Sequence, residues 1–195
     1  MVHSSPLPDV ALPDVPLDRL VPRSGLPAIT EYDTGRTVTY AELGALADAA
    51  ATRLRSRGVG PGSVVELRFP NSIDFAVALL AVARTGAAAC LVGHSLIDVE
   101  ASRLSALAGT THRIEPDDLA PGPADDFAPA DPDTVAAIPF SSGTTGLPKG
   151  VELTHRSITA NAVQFNAALA ASGIGENTRV AAPLPFSHIY GLNTL

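Results

Sequence analysis

The stretch SSGTTGLPKG, residues 141–150, sets four hydroxyl side chains, three glycines and one lysine between two apolar runs. Consecutive small residues let several backbone N–H groups converge on one concavity, and such a nest attracts anions. Ser141, Ser142, Thr144 and Thr145 add hydroxyl donors, and Lys149 adds a full positive charge at the far end of the loop. This donor set suits a di- or triphosphate better than a single carboxylate. Lys149 is the only lysine in the chain, whose other twelve basic residues are arginines. A compact ammonium on a flexible stem meets a phosphate as a mobile point charge.

The spacing excludes the common P-loop. Counted from Gly143, the second glycine of G-x-x-x-x-G-K-[ST] is replaced by Pro148 and the metal-binding hydroxyl by Gly150. Proline removes an N–H that the P-loop needs, and the following VELTH reads as extended rather than helical. A turn of Gly and Thr with no ligand is the plainer alternative. Further on, His188 in LPFSHIYGLNTL stands at an expected strand-to-helix turn, a usual place for a site in an α/β sheet. Its plain reading is a histidine capping that turn, and the plain reading of Tyr190 is core packing beside Ile189. His155 and Arg156 read as the start of a helix with no chemistry assigned.

Composition removes other classes of function. Hydrophobic residues make up 46% of 195 residues, which excludes a disordered chain. A net charge of −7 with no basic run argues against nucleic acid or an anionic membrane as partner. The single cysteine, Cys90, lies in the apolar run AAACLV; it fits a reducing compartment and reads as a small buried residue. The first residues lack the basic and apolar regions of a signal peptide, and FAVALLAVA is too short to span a bilayer. A cytoplasmic protein is expected.

The elements that must position these residues follow from periodicity. Residues 1–27, rich in proline, are expected as an extended segment draped over the body formed by 28–195. AITEYDTGRTVTYAEL reads as a hairpin turning at Asp33, Thr34 and Gly35. Thr39 and Glu42 form a capping box for a helix with Leu43, Leu46, Ala50 and Leu54 on its apolar side, ended at Gly58. SVVELRF, AAACLV, TVAAIPF and RVAAPL read as strands. SIDFAVALLAVART closed by Gly86, LIDVEASRLSALAG and the stretch 157–171 read as helices. The alternation predicts an α/β fold with βαβ units and a largely parallel sheet flanked by helices. Residues 110–133, polar and acidic with many prolines, read as a linker or surface loop with solvated carboxylates.

SSGTTGLPKGVELTH resembles the signature loop of the adenylate-forming (AMP-binding) superfamily, which includes acyl-CoA synthetases, aryl-CoA ligases and luciferases. LPFSHIYGLNTL resembles a second family segment, most closely in its 4-coumarate–CoA ligase version. VTYAEL, GVGPGSVV and PNSIDFAVALLAVARTGAA resemble the family's amino-terminal subdomain, so the likeness covers residues 29–195. It implies two half-reactions. A carboxylate oxygen attacks the α-phosphorus of ATP and pyrophosphate leaves; the thiol of coenzyme A then displaces AMP. By position, Ser141, Ser142, Gly143, Thr144, Thr145, Gly146 and Lys149 would hold the phosphates, with magnesium arriving on ATP and Thr144 or Thr145 as its hydroxyl contact. His188, Tyr190, Gly191 and Thr194 would line the acyl pocket, where a phenol can bond the polar end of an aryl acid.

The sequence departs from the family in two places. LVGHSLIDVEASRL replaces the family's usual text after the GAA strand, and 110–133 is shorter than the family norm by about a βα unit. The ribose-binding aspartate, the hinge and the mobile carboxy-terminal domain with its lysine have no counterpart before Leu195. The expectation is therefore an amino-terminal portion, inactive by itself, as a truncated product or one piece of a split enzyme. The alternative is a non-catalytic module that self-associates or docks on a complete synthetase or a carrier protein.

Overall fold

A computed structural model of the chain describes residues 10–141, 148–175 and 178–195. The first regular element is a turn of 3-10 helix, Leu17–Arg19, and it is followed by an antiparallel hairpin of β1 (Pro27–Thr30) and β2 (Thr37–Thr39). Thr39 then caps α1 (Tyr40–Ser56). Its hydroxyl accepts the Glu42 N–H at 3.1 Å, and the Glu42 carboxylate accepts the Thr39 N–H at 2.8 Å. That backbone bond holds the Glu42 carboxyl below the usual carboxylate range.

Next come β3 (Val64–Leu67), α2 (Ile73–Thr85) and β4 (Ala88–Leu91), a parallel βαβ unit. The Ser72 hydroxyl accepts the Phe75 N–H at 3.2 Å to start α2. Gly86, at φ 75°, ends it in the left-handed conformation that favours glycine. The chain continues through α3 (Asp98–Leu107), β5 (His112–Arg113), β6 (Val135–Ile138), β7 (Phe140–Ser141), β8 (Lys149–Gly150), β9 (Leu153–Thr154), α4 (His155–Ala171) and α5 (Ile189–Thr194).

One sheet has the order β5-β3-β4-β6-β9. Its first three pairings are parallel, as expected, and β9 closes it antiparallel to β6. Side chains alternate across the strands. Val65, Leu67, Ala89, Leu91 and Ala137 join the main core with α1 and α2, whereas Cys90 and Val92 pack with Ala101 of α3 in a smaller second layer. Alanines dominate the contact of α1 with α2 and let the two helices lie close. Cys90 is buried, and burial pushes its thiol up to about 11, which leaves it unreactive at neutral pH.

Three stretches differ from the sequence expectation. RVAAPL forms no strand, because a single side chain, that of Asn71, takes the place of a neighbouring strand. Residues 110–133 carry β5 and a 3-10 turn, Pro116–Leu119, and bury Ile114, Leu119 and Phe127 in the main core. Asp118 in that stretch is buried rather than solvated, because the Arg57 guanidinium bonds its carboxylate. The amino-terminal segment also reaches the interior. Asp18 is buried with Arg84, whose guanidinium lies 3.7 Å from it and donates to the Gly44 carbonyl at 2.7 Å. The Leu17 N–H donates to Nδ1 of the fully buried His155 at 3.2 Å.

Candidate functional site

The parallel strands all point their carboxyl ends the same way, and loops at that edge can reach a ligand without disturbing the core. Four connections leave there: residues 68–72 after β3, 92–97 after β4, 114–115 after β5, and the β7–β8 ribbon one residue after β6.

Ribbon β7–β8 carries the two ends of the stretch that the sequence marked as a phosphate loop. Ser141 pairs with Lys149, and Phe140 with Gly150, so the two ends of SSGTTGLPKG are clamped side by side. Both Ser141 and Lys149 are exposed. Ser142, Gly143, Thr144, Thr145 and Gly146 lie outside the described residues. Composition alone did not show this pairing, which sets a hydroxyl and an ammonium side by side at the two ends of the stretch. Gly150 fits tightly: a Cβ there would stand 3.0 Å from Cγ2 of Ile138. A cavity of about 260 Å³ opens behind the ribbon, with Ile138, Pro148, Lys149 and Glu152 in its wall. Among the described residues no group of three or more His, Cys, Asp or Glu could cage a metal ion.

The second expected group, His188, Tyr190, Gly191 and Thr194, lies together at the start of α5 and within it. His188 is the N-cap: its Nδ1 accepts the Tyr190 N–H at 3.4 Å. With Nδ1 accepting, the neutral ring carries its proton on Nε2 and can donate outward. Tyr190 stacks on it, centroids 5.7 Å apart and rings inclined by 15°. At 67% exposed, Tyr190 is not packed in the core formed by the described residues. Gly191 is buried, and a Cβ there would stand 2.0 Å from the Pro185 carbonyl oxygen. Only glycine allows α5 to close on that turn. The Thr194 hydroxyl is used within the helix, donating to the Gly191 carbonyl at 2.8 Å.

Sequence reasoning missed one residue at this edge, Asn71. Its side chain bonds residues 182 and 184, in the stretch expected to be a strand, and residue 186 just beyond it. The Ser187 hydroxyl in turn lies 4.0 Å from where a Cβ of Gly93 would be, just past β4. The His188 turn is therefore held over the ends of β3 and β4, and the phosphate ribbon grows from the end of β6. An isolated Asn in FPNSIDF carries no sequence signal beyond a turn.

Comparison with known proteins addresses the family and the fold. The family model described as AMP-binding enzyme matches residues 21–114 and 92–195. The rice (Oryza sativa subsp. japonica) protein 4-coumarate–CoA ligase 5 is 33% identical over all of this chain, and the chain spans 43% of it. A long-chain-fatty-acid-CoA ligase from Archaeoglobus fulgidus shares the fold, with a TM-score of 0.79 at 20% identity over 99% of this chain and 47% of its own. The o-succinylbenzoate CoA synthetase of Bacillus subtilis, solved with its acyl-adenylate intermediate, gives a TM-score of 0.68 at 26% identity, over 83% of this chain and 47% of its own. The chain thus spans less than half the length of these relatives.

Proposed function

The chain belongs to the AMP-binding enzyme family, and from that premise we propose that it serves the ATP-dependent activation of a carboxylic acid, with coenzyme A as the later acceptor. The observation that carries the reading is the ribbon that pairs Ser141 with Lys149 at the carboxyl end of the parallel sheet. In this reading the ribbon and its tip, Ser141, Ser142, Gly143, Thr144, Thr145, Gly146 and Lys149, hold the β- and γ-phosphates of ATP. Lys149 neutralises charge that grows on the departing pyrophosphate, and the backbone N–H groups orient it. Magnesium comes with ATP, and Thr144 or Thr145 supplies its hydroxyl contact.

The His188 turn is the acyl side. The outward Nε2–H can hold a carboxylate oxygen, with Tyr190, Gly191 and Thr194 bordering the acid. An exposed phenol beside that donor and the likeness to a 4-coumarate–CoA ligase support a hydroxylated aryl acid as the substrate class. Among the described residues no helix is long and apolar enough to cross a membrane. A cytoplasmic setting is part of the proposal, supported by the unpaired buried thiol of Cys90.

Calorimetry with ATP and with pyrophosphate, on wild type and Lys149→Ala, tests the phosphate side. A hydrogen bond to a charged group contributes about 1.5–3 kcal/mol, so the variant is expected to bind both ligands about 10- to 100-fold more weakly. Equal affinity in the variant, or no binding by wild type, overturns the assignment.

A further inference from the structure

We propose that Asn71 is the positioning residue for the His188 turn, acting through the backbone of residues 182–186. The purpose of that turn rests on the functional reading above; the clamp rests on geometry. Asn71 Nδ2 donates to the Ala182 carbonyl at 3.3 Å and the Leu184 carbonyl at 2.8 Å, and its Oδ1 accepts the Phe186 N–H at 2.8 Å. A primary amide has two donor hydrogens and one acceptor oxygen, and all three functions are engaged. The bonded groups belong to residues 182, 184 and 186, the two-residue period at which an extended segment presents backbone groups to one side. One side chain therefore does the work of a neighbouring strand, which explains why RVAAPL is held without joining the sheet.

Two further contacts pass this grip on to the histidine. Phe186 is buried against Phe75, ring centroids 5.6 Å apart, in the first turn of α2 that begins beside Asn71. The His188 N–H donates to the Pro185 carbonyl at 2.9 Å, and Gly191 closes on the same carbonyl. His188 is thus two residues from one anchored backbone group and bonded to the residue between two others. Asn71 itself is exposed, so its truncation removes no core volume.

The test uses the 195-residue chain with Asn71→Ala and Asn71→Asp, the second keeping an acceptor while losing both donors. Loss of two or three hydrogen bonds in an exposed segment is expected to speed amide exchange across residues 182–192 about tenfold or more. The His188 ring signals in 1H–15N spectra should shift as well. Exchange in α1, α2 and the sheet, the thermal midpoint, and pyrophosphate affinity at the Lys149 ribbon should stay as in wild type. Unchanged exchange and unchanged His188 signals in both variants overturn the proposal, and so does loosening spread evenly over the whole chain. Neither readout needs a ligand, so failure of the phosphate reading appears only in the calorimetry and leaves the Asn71 clamp to stand or fall by its own measurements.

Discussion

Helices α2 and α4 are both rich in alanine and meet opposite fates. In α2 twelve of thirteen residues are buried; in α4 three of seventeen are, all within its first five positions. The difference lies in composition and in what surrounds them: α4 carries more polar residues. α2 is enclosed by α1, by the sheet and by the Leu17–Arg19 turn, whereas α4 is buried at His155, Ile158 and Thr159 and is exposed or half-buried beyond them. The region of β3, α2 and β4 holds the fold, and the carboxy-terminal third holds the groups proposed for the chemistry. Residues that must meet a ligand have to stay accessible, as Lys149, His188 and Tyr190 do, and that accessibility costs local stability.

Two phenylalanines measure the contrast most directly. Phe75 is fully buried in α2 and Phe165 in α4 is 41% exposed. Phe75→Ala should cost about 3–5 kcal/mol, a large share of the roughly 5–15 kcal/mol that holds a domain together. Phe165→Ala should stay within about 0.5 kcal/mol of wild type. Urea denaturation midpoints decide it, and similar losses for the two would erase the distinction between the regions.

His155 is where the two regions meet, and pH probes that junction. The ring is fully buried, and burial, the largest influence, lowers its pKa below the ordinary 6.5 against the opposing pull of Asp18 and Asp131. The native state thus favours the neutral ring, whose Nδ1 accepts the Leu17 N–H. The associated stability is complete above about pH 6.5 and is lost as pH falls from there toward the lower native value, where the unfolded chain binds the proton more readily. Carboxylates held low by hydrogen bonds, such as Glu31 and Glu42, lose their contributions only at more acid pH. The urea midpoint of wild type should therefore fall between about pH 7.5 and 5.5, and the fall should be smaller in His155→Gln. Equal falls would show that His155 does not carry the junction.

How far each region could be read from sequence follows the same division. The Thr39–Glu42 box, the Gly86 stop and the alternation of strands and helices are local signals, and the structure repeats them residue by residue. The carboxy-terminal third depends on pairings that no local pattern encodes. RVAAPL has the alternation of a strand, yet its partner is one amide 111 to 115 residues earlier. The register that places Ser141 opposite Lys149 is likewise absent from composition. Asp118 reads as one more solvated carboxylate in its acidic stretch, and only the fold brings Arg57, 61 residues earlier, against it. The residue types of the candidate site stand in the sequence; their mutual placement does not.

The smallest expected effect separates the regions through the same kind of hydroxyl cap. Thr39 and Thr154 cap α1 and α4 in the same way, each hydroxyl accepting the N–H three residues on at 3.1 Å. Removing such a cap costs about 1 kcal/mol. α1 is locked to α2 through a shared core, so Thr39→Ala should lower the global urea midpoint by that amount. Only the first turn of α4 is buried, so Thr154→Ala should show chiefly as faster amide exchange in residues 157–171, with a smaller change in the global midpoint. If both variants lower the global midpoint equally, α4 unfolds together with the core rather than ahead of it, and its exposure is not a measure of its stability.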